Sequence, residues 1–96
     1  MIYAVLFTDD PARADRRMRF MPDHLAFLEK NAARIRAAGP LQENGTGAGG
    51  LWLVEAGSAD EVMALVHADP FWPTGLRQSV RVLAWTQVFA DGQRKI

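Results

Sequence analysis

Cysteine is absent from the 96-residue chain, which excludes disulfides, thiolate metal sites and thiol nucleophiles. Its absence also removes any sign of an oxidising compartment. No apolar run is long enough to span a membrane. Met1 to Phe7 is apolar but short and without a basic leader, so it reads as a strand and not as a signal peptide. The expectation is a cytoplasmic protein without membrane partners. Charge of one sign is not in excess either: eleven basic and eleven acidic residues balance to zero. The one basic concentration, Arg13, Arg16, Arg17 and Arg19, is diluted by Asp9, Asp10 and Asp15, which argues against a nucleic-acid partner. Histidine is scarce, with only His24 and His67, and neither stands in a metal-ligand spacing such as HxH or HExxH. No metal and no cofactor are expected. The glycine-rich stretch Gly45 to Gly50 lacks the Lys-Ser/Thr ending of a phosphate loop, and neither Ser58 nor Ser79 has a nucleophile-elbow context.

What the chain does have is alternating strand and helix patterns. Residues 2–8 are apolar on both faces, with Ile2, Ala4 and Leu6 opposite Tyr3, Val5 and Phe7. Asp10-Pro11 starts a short helical piece, as an N-cap followed by proline. The first long helix is read from Met21-Pro22-Asp23-His24, where Pro22 either starts it or kinks a longer one, with Leu25, Leu28, Ala32 and Ile35 as its apolar stripe and Ala38-Gly39-Pro40 as its stop. His24 falls within the arc of that stripe, in the first turns, which also fits a packed core histidine satisfied by a backbone carbonyl. A weak strand follows at Pro40 to Asn44, then a turn over Gly45 to Gly50 and a strand over Leu51 to Ala56. Ser58 and Glu61 form a capping box for a helix carrying Val62, Leu65 and Val66, which stops at Asp69-Pro70. Phe71 to Gly75 is read as a loop, Ser79 to Phe89 as the last strand, and residues 91–96 as a flexible polar tail.

The order β-α-β-β-α-β predicts one α+β domain over residues 1–96, with a ferredoxin-like four-stranded antiparallel sheet. Two helices cover only one face of such a sheet. Three strands are apolar on both faces, so the open face is expected to be buried against a second copy in a homodimer. This topology also gathers Asp9, Asp10, Arg17, His24, Glu43, Asn44, Asp69 and Arg77 to Ser79 at one end of the domain. Within that set His24 and Asp69 make the best pair. A carboxylate bound to one ring nitrogen fixes the tautomer and leaves the other nitrogen free for proton transfer. Asp69 also reads simply as a helix terminator before Pro70. His67 lies off the apolar stripe of its helix and is expected to be exposed.

The residues Arg17, Pro22-x-His24-Leu25, Ala38-Gly39-Pro40, Gly50, Glu55, Asp69-Pro70-Phe71, Gly75-Leu76 and Val80-x-Val82 to Phe89 together resemble the YciI-like, or YCII-related, family. The resemblance covers nearly the whole chain. It implies a dimeric α/β barrel similar to muconolactone isomerase in fold and a histidine–aspartate pair at His24 and Asp69. It also implies, for some members, dehydrochlorination of hydroxylated chloroaromatics. Members often carry arginine just before the proline of the histidine motif, where this chain has Met21. Binding of an anionic group then falls to Arg17 or Arg19, or the substrate differs.

The expected function is a cofactor-independent lyase or isomerase acting on a small cyclic or aromatic metabolite. His24 and Asp69 would be catalytic, and Arg17, Phe71, Trp72 and Ser79 would contact the substrate. The alternative is a dimer that binds a small molecule without turnover, or an accessory dimer with no ligand.

Overall fold

The computed structural model describes residues 1–96. Four strands, β1 (Ile2–Asp9), β2 (Ile35–Glu43), β3 (Thr46–Glu55) and β4 (Arg77–Trp85), form one antiparallel sheet in the order β2-β3-β1-β4. Helices α1 (Asp15–Lys30) and α2 (Ala59–Ala68) complete the ferredoxin-like arrangement. No helix is long and apolar enough to cross a membrane. The core is Val5 and Phe7 of β1, Trp52 and Val54 of β3, Val62, Leu65 and Val66 of α2, and Ile35 of β2.

Strand alternation divides the sheet into a covered and an open face. Val5 pairs with Trp52 and Val82, while Leu6 pairs with Leu51 and Arg81. The first set lies under the helices. The second lies on the open face with Ile2, Ala4, Leu53, Leu83 and Trp85, and the last two are each 40 % exposed.

The first helix is displaced from its expected span. It begins at Asp15 and continues through Pro22, the longer of the two expected forms, but ends earlier than expected. Pro22 lies on the exposed side, so the Met18 carbonyl that it leaves unbonded faces water, where the lost bond costs least. The stop is Asn31, whose backbone N–H and side-chain amide both donate to the Phe27 carbonyl. Ile35 therefore belongs to β2 and not to the helix, and Gly39-Pro40 lies inside that strand. β2 is an edge strand, where a missing N–H is tolerated. Leu25, expected in the core, is 49 % exposed. The inward stripe is instead Arg17, Met21, His24 and Leu28, a regular helical spacing.

The glycine-rich turn also contracts. Asn44 and Gly45, both at positive φ, alone connect β2 to β3, because Glu43 already pairs with Thr46. Asn-Gly is the preferred pair for a two-residue hairpin whose central residues both need positive φ. The last strand ends at Trp85. Residues 89–94 form a separate two-stranded hairpin, β5 (Phe89–Ala90) and β6 (Gln93–Arg94), so part of the expected tail is paired.

The cap of α2 is as expected. Ser58 Oγ accepts from the Glu61 N–H at 3.2 Å, and the Glu61 carboxylate accepts from the Gly57 N–H at 2.8 Å. Ser58→Ala is expected to lower stability by about 1 kcal/mol. Urea unfolding would measure it, and an unchanged midpoint would show that the cap contributes nothing.

Candidate functional site

His24 is set in the middle of α1, well past its first turn, and is 6 % exposed. Its ring stacks on Phe71, with centroids 4.1 Å apart and planes 16° from parallel. Trp52 lies on a second side at 6.3 Å. Two aromatic neighbours thus restrict the imidazole while leaving its edge to polar partners.

Asp69 caps α2 at its C-terminal end and is 3 % exposed. Its Oδ1 accepts from the Phe71 N–H at 3.1 Å and lies 2.8 Å from His24 Nδ1. An ionised carboxylate only accepts, so the proton of a neutral His24 ring sits on Nδ1. Nε2 is left with a lone pair and no hydrogen bond to the protein. The backbone bond from Phe71 explains why Asp69 points inward. It ties the carboxylate to the turn that also places the Phe71 ring against His24.

A cavity of about 110 Å³ is bounded by Arg17, Met21, His24, Pro40, Trp52 and Arg77. It is smaller than the roughly 150 Å³ apolar cavity that accepts benzene, so a bound ring would extend beyond it. A larger groove of about 620 Å³ adjoins it, since Arg17 and Pro40 line both.

Beside His24 lies an ion cluster. Arg17 Nη2 is 2.5 Å from Asp9 Oδ2, and Arg77 Nη1 is 3.0 Å from Asp9 Oδ1. Arg77 is the more buried guanidinium, with 4 % of its side chain exposed. Burial holds it below the ordinary arginine value, and the charge and hydrogen bond of Asp9 offset part of that.

The sequence-predicted residues are therefore only partly assembled. Arg17 and His24 line one cavity, whereas Asp69 and Phe71 are buried against His24 and do not line it, so Phe71 supports the imidazole and does not reach the cavity as the expected substrate contact. Arg17, and not Arg19, reaches it; Arg19 is exposed and rests on Phe20. Trp72 packs beside the core and against His67, ring to ring at 4.7 Å. Ser79 lies exposed on the open face, hydrogen-bonded to Thr8. Neither lines the cavity with His24. Asp10 caps the turn after β1, while Glu43 and Asn44 are exposed at the hairpin. His67 is exposed as expected.

The topology already gathers Arg77 at this end of the domain, but a register shift hides from the sequence that its side chain faces the cavity. Regular pairing with β1 would set Gln78 opposite Asp9, but a bulge after Thr8 sets Arg77 there. The extra residue reverses the alternation and turns Arg77 to the covered face, although its odd-numbered strand neighbours Ser79 and Arg81 lie on the open one.

The model of the YCII-related domain matches residues 1–86. The chain belongs to the YCII-related family. Its structure is similar to that of 5-chloro-2-hydroxyhydroquinone dehydrochlorinase (TftG) from Burkholderia phenoliruptrix AC1100, solved in complex with 2,5-dihydroxybenzoquinone. The likeness has a TM-score of 0.78 and 30 % sequence identity, over 90 % of this chain and 94 % of that one. No curated protein matches the chain. The relation to this YCII-related structure runs through nearly the whole domain and not through a local motif.

Proposed function

We propose that this YCII-related protein is a cofactor-independent acid–base enzyme acting on a small hydroxylated ring, by elimination or isomerisation. The observation that carries the reading is the buried His24–Asp69 contact, which leaves His24 Nε2 unbonded beside the cavity. The structural relative supports it, being a dehydrochlorinase seen with a dihydroxybenzoquinone.

In this mechanism Nε2 takes a proton from a hydroxyl or carbon of the ring. Returned to the ring carbon that bears the leaving group, that proton gives a keto tautomer, the product if the reaction is an isomerisation; loss of a second hydroxyl proton to Nε2 then expels chloride from that now tetrahedral carbon and leaves a quinone. Asp69 faces the imidazolium that forms and stabilises it. Phe71 and Trp52 hold the ring of His24 in place, and Arg17 contacts the substrate from the same cavity. Trp72 and Ser79 lie outside this cavity. As substrate contacts they would act from the adjoining groove or from an interface.

The active unit is a homodimer joined through the open sheet face. That face carries Leu6, Leu51, Leu53, Leu83 and Trp85, and large apolar surfaces of this kind mark association sites. Light scattering at micromolar concentration is expected to give twice the monomer mass. A monomer would refute the dimer.

The test of the chemistry is chloride release from chlorinated hydroxyhydroquinones by wild type and His24→Ala, with circular dichroism as the check on folding. Turnover by wild type and its loss in the folded variant are expected. Full activity in His24→Ala would end the reading, and ligand binding without any product would reduce the protein to a binder.

A further inference from the structure

Two guanidinium groups share the cavity of His24, and neither is saturated. Arg17 and Arg77 each make one side-chain hydrogen bond, both to Asp9. A guanidinium carries five N–H donors, so most donors of both groups lack a protein acceptor. The Nε of Arg77 is buried with no partner at all. Asp9 is shared between both guanidiniums, while the second carboxylate nearby, Asp69, is hydrogen-bonded to His24 and Phe71 instead. A buried guanidinium donor without an acceptor is costly unless something answers it.

The surroundings keep the corner in place. Arg77 lies 4.1 Å from the Phe7 ring and 5.2 Å from Phe71, and Arg17 lies 5.7 Å from Phe71. The same Phe71 ring stacks on His24. A side chain at Gly50 would begin 3.2 Å from Arg77 Nη1, so the glycine leaves the guanidinium its room. Five charged or titratable groups thus face one another here: Arg17 and His24 from α1, Asp9 from β1, Arg77 from β4, and Asp69 from the end of α2.

We infer that Arg17 and Arg77 form an oxyanion subsite, and that the substrate is a single-ring phenol or enol whose oxygen is ionised when bound there. The inference rests on the proposed site at His24 and adds to it the ionisation state of the bound oxygen and the two residues that hold it. With a neutral His24, the two guanidiniums and the two carboxylates cancel. When a proton passes from the ring to Nε2, the new imidazolium faces Asp69 and the new oxyanion faces Arg17 and Arg77. Each charge then appears beside an opposite one already in position, the arrangement that lowers a barrier most in a dry site. A neutral ring of the same shape gains nothing from the two arginines.

The probe is 4-nitrophenol, whose ionised form is read directly from its visible absorption, with 4-nitroanisole as the neutral match. Wild type is expected to bind the phenolate at least about tenfold more tightly than the ether, and to lower the ionisation midpoint of the bound phenol by about one unit. Arg77→Met is expected to remove most of that preference, and Arg77→Lys to restore part of it. Arg17→Gln should reduce it as well. That side chain is only partly buried and leaves Asp9 paired with Arg77, so the variant serves if Arg77→Met does not fold. Equal affinity for phenolate and ether, no binding of the phenolate at millimolar concentration, or an undiminished preference in the folded arginine variants would overturn the subsite. His24→Asn separates this result from the reading above. Unchanged turnover in that variant, with the phenolate preference intact, would reject the acid–base role and leave the subsite standing.

Discussion

Asp69→Asn is expected to lower turnover in the chloride-release assay by about 10²–10⁴-fold, the usual worth of a positioned acid–base group, while changing ligand affinity only a few-fold. The substitution is nearly isosteric. Its amide oxygen can still accept from the Phe71 N–H and from His24 Nδ1, which Asp69 Oδ1 accepts now. What disappears is the negative charge beside the imidazolium that forms when Nε2 takes a proton. The amide can also flip and donate to Nδ1. That moves the ring proton to Nε2 and removes the lone pair that the chemistry needs. Both effects act on the reacting state and not on the bound substrate, so the loss belongs in kcat. A merely structural pair behaves differently. There the amide costs some stability and leaves any turnover unchanged. Measuring kcat and KM alongside thermal unfolding distinguishes the two, and an unaltered kcat in a folded Asp69→Asn protein would rule out the dyad.

The largest structural effect is expected at Gly49. Its φ is +91°, and a Cβ built there would lie 1.8 Å from the Phe7 carbonyl oxygen and 2.9 Å from its carbon. The obstruction is backbone, so no side-chain rotation relieves it. To admit Gly49→Ala, β3 must separate from β1 beside the Phe7–Gly50 pair, or Gly49 must abandon a conformation that L-residues rarely adopt. Phe7 is 2 % exposed and packs edge-on against Trp52 at 5.1 Å, so displacement there disturbs the centre of the core and a wall of the cavity together. The expected cost is at least about 3 kcal/mol, from positive-φ strain added to lost strand pairing. For a domain of this length that is roughly 12 °C or more in Tm. A shift corresponding to less than about 1 kcal/mol would mean that the strands part without loss. The Gly45 position is the internal control. It also has positive φ but nothing within 4 Å of a Cβ, so Gly45→Asn is expected to be tolerated in the Asn44-Gly45 turn.

Element order, the ferredoxin-like class and the capping box at Ser58 are legible in the sequence, which also places His24 and Asp69 at one end of the domain but leaves Asp69 equally a helix terminator. Each rests on local chemistry or on a connectivity that few topologies satisfy. A strand apolar on both faces must be covered twice, and a helix that begins near the end of β1 must bring His24 toward the end of α2. Expectation and structure part where two local signals compete. Residues 32–38 are good helix formers ahead of a Gly-Pro stop, yet Asn31 ends α1 and edge pairing with β3 takes Ile35 onward. The Asn44-Gly45 turn was overshadowed by the glycines that follow it. Only the tertiary structure decided which arginine reaches the cavity and that Arg77 joins it. The reason is register: one extra residue after Ser79's pairing with Thr8 turns Arg77 onto the covered face. A bulge of one residue leaves no reliable mark on sequence alternation, because it depends on how β1 and β4 twist past each other.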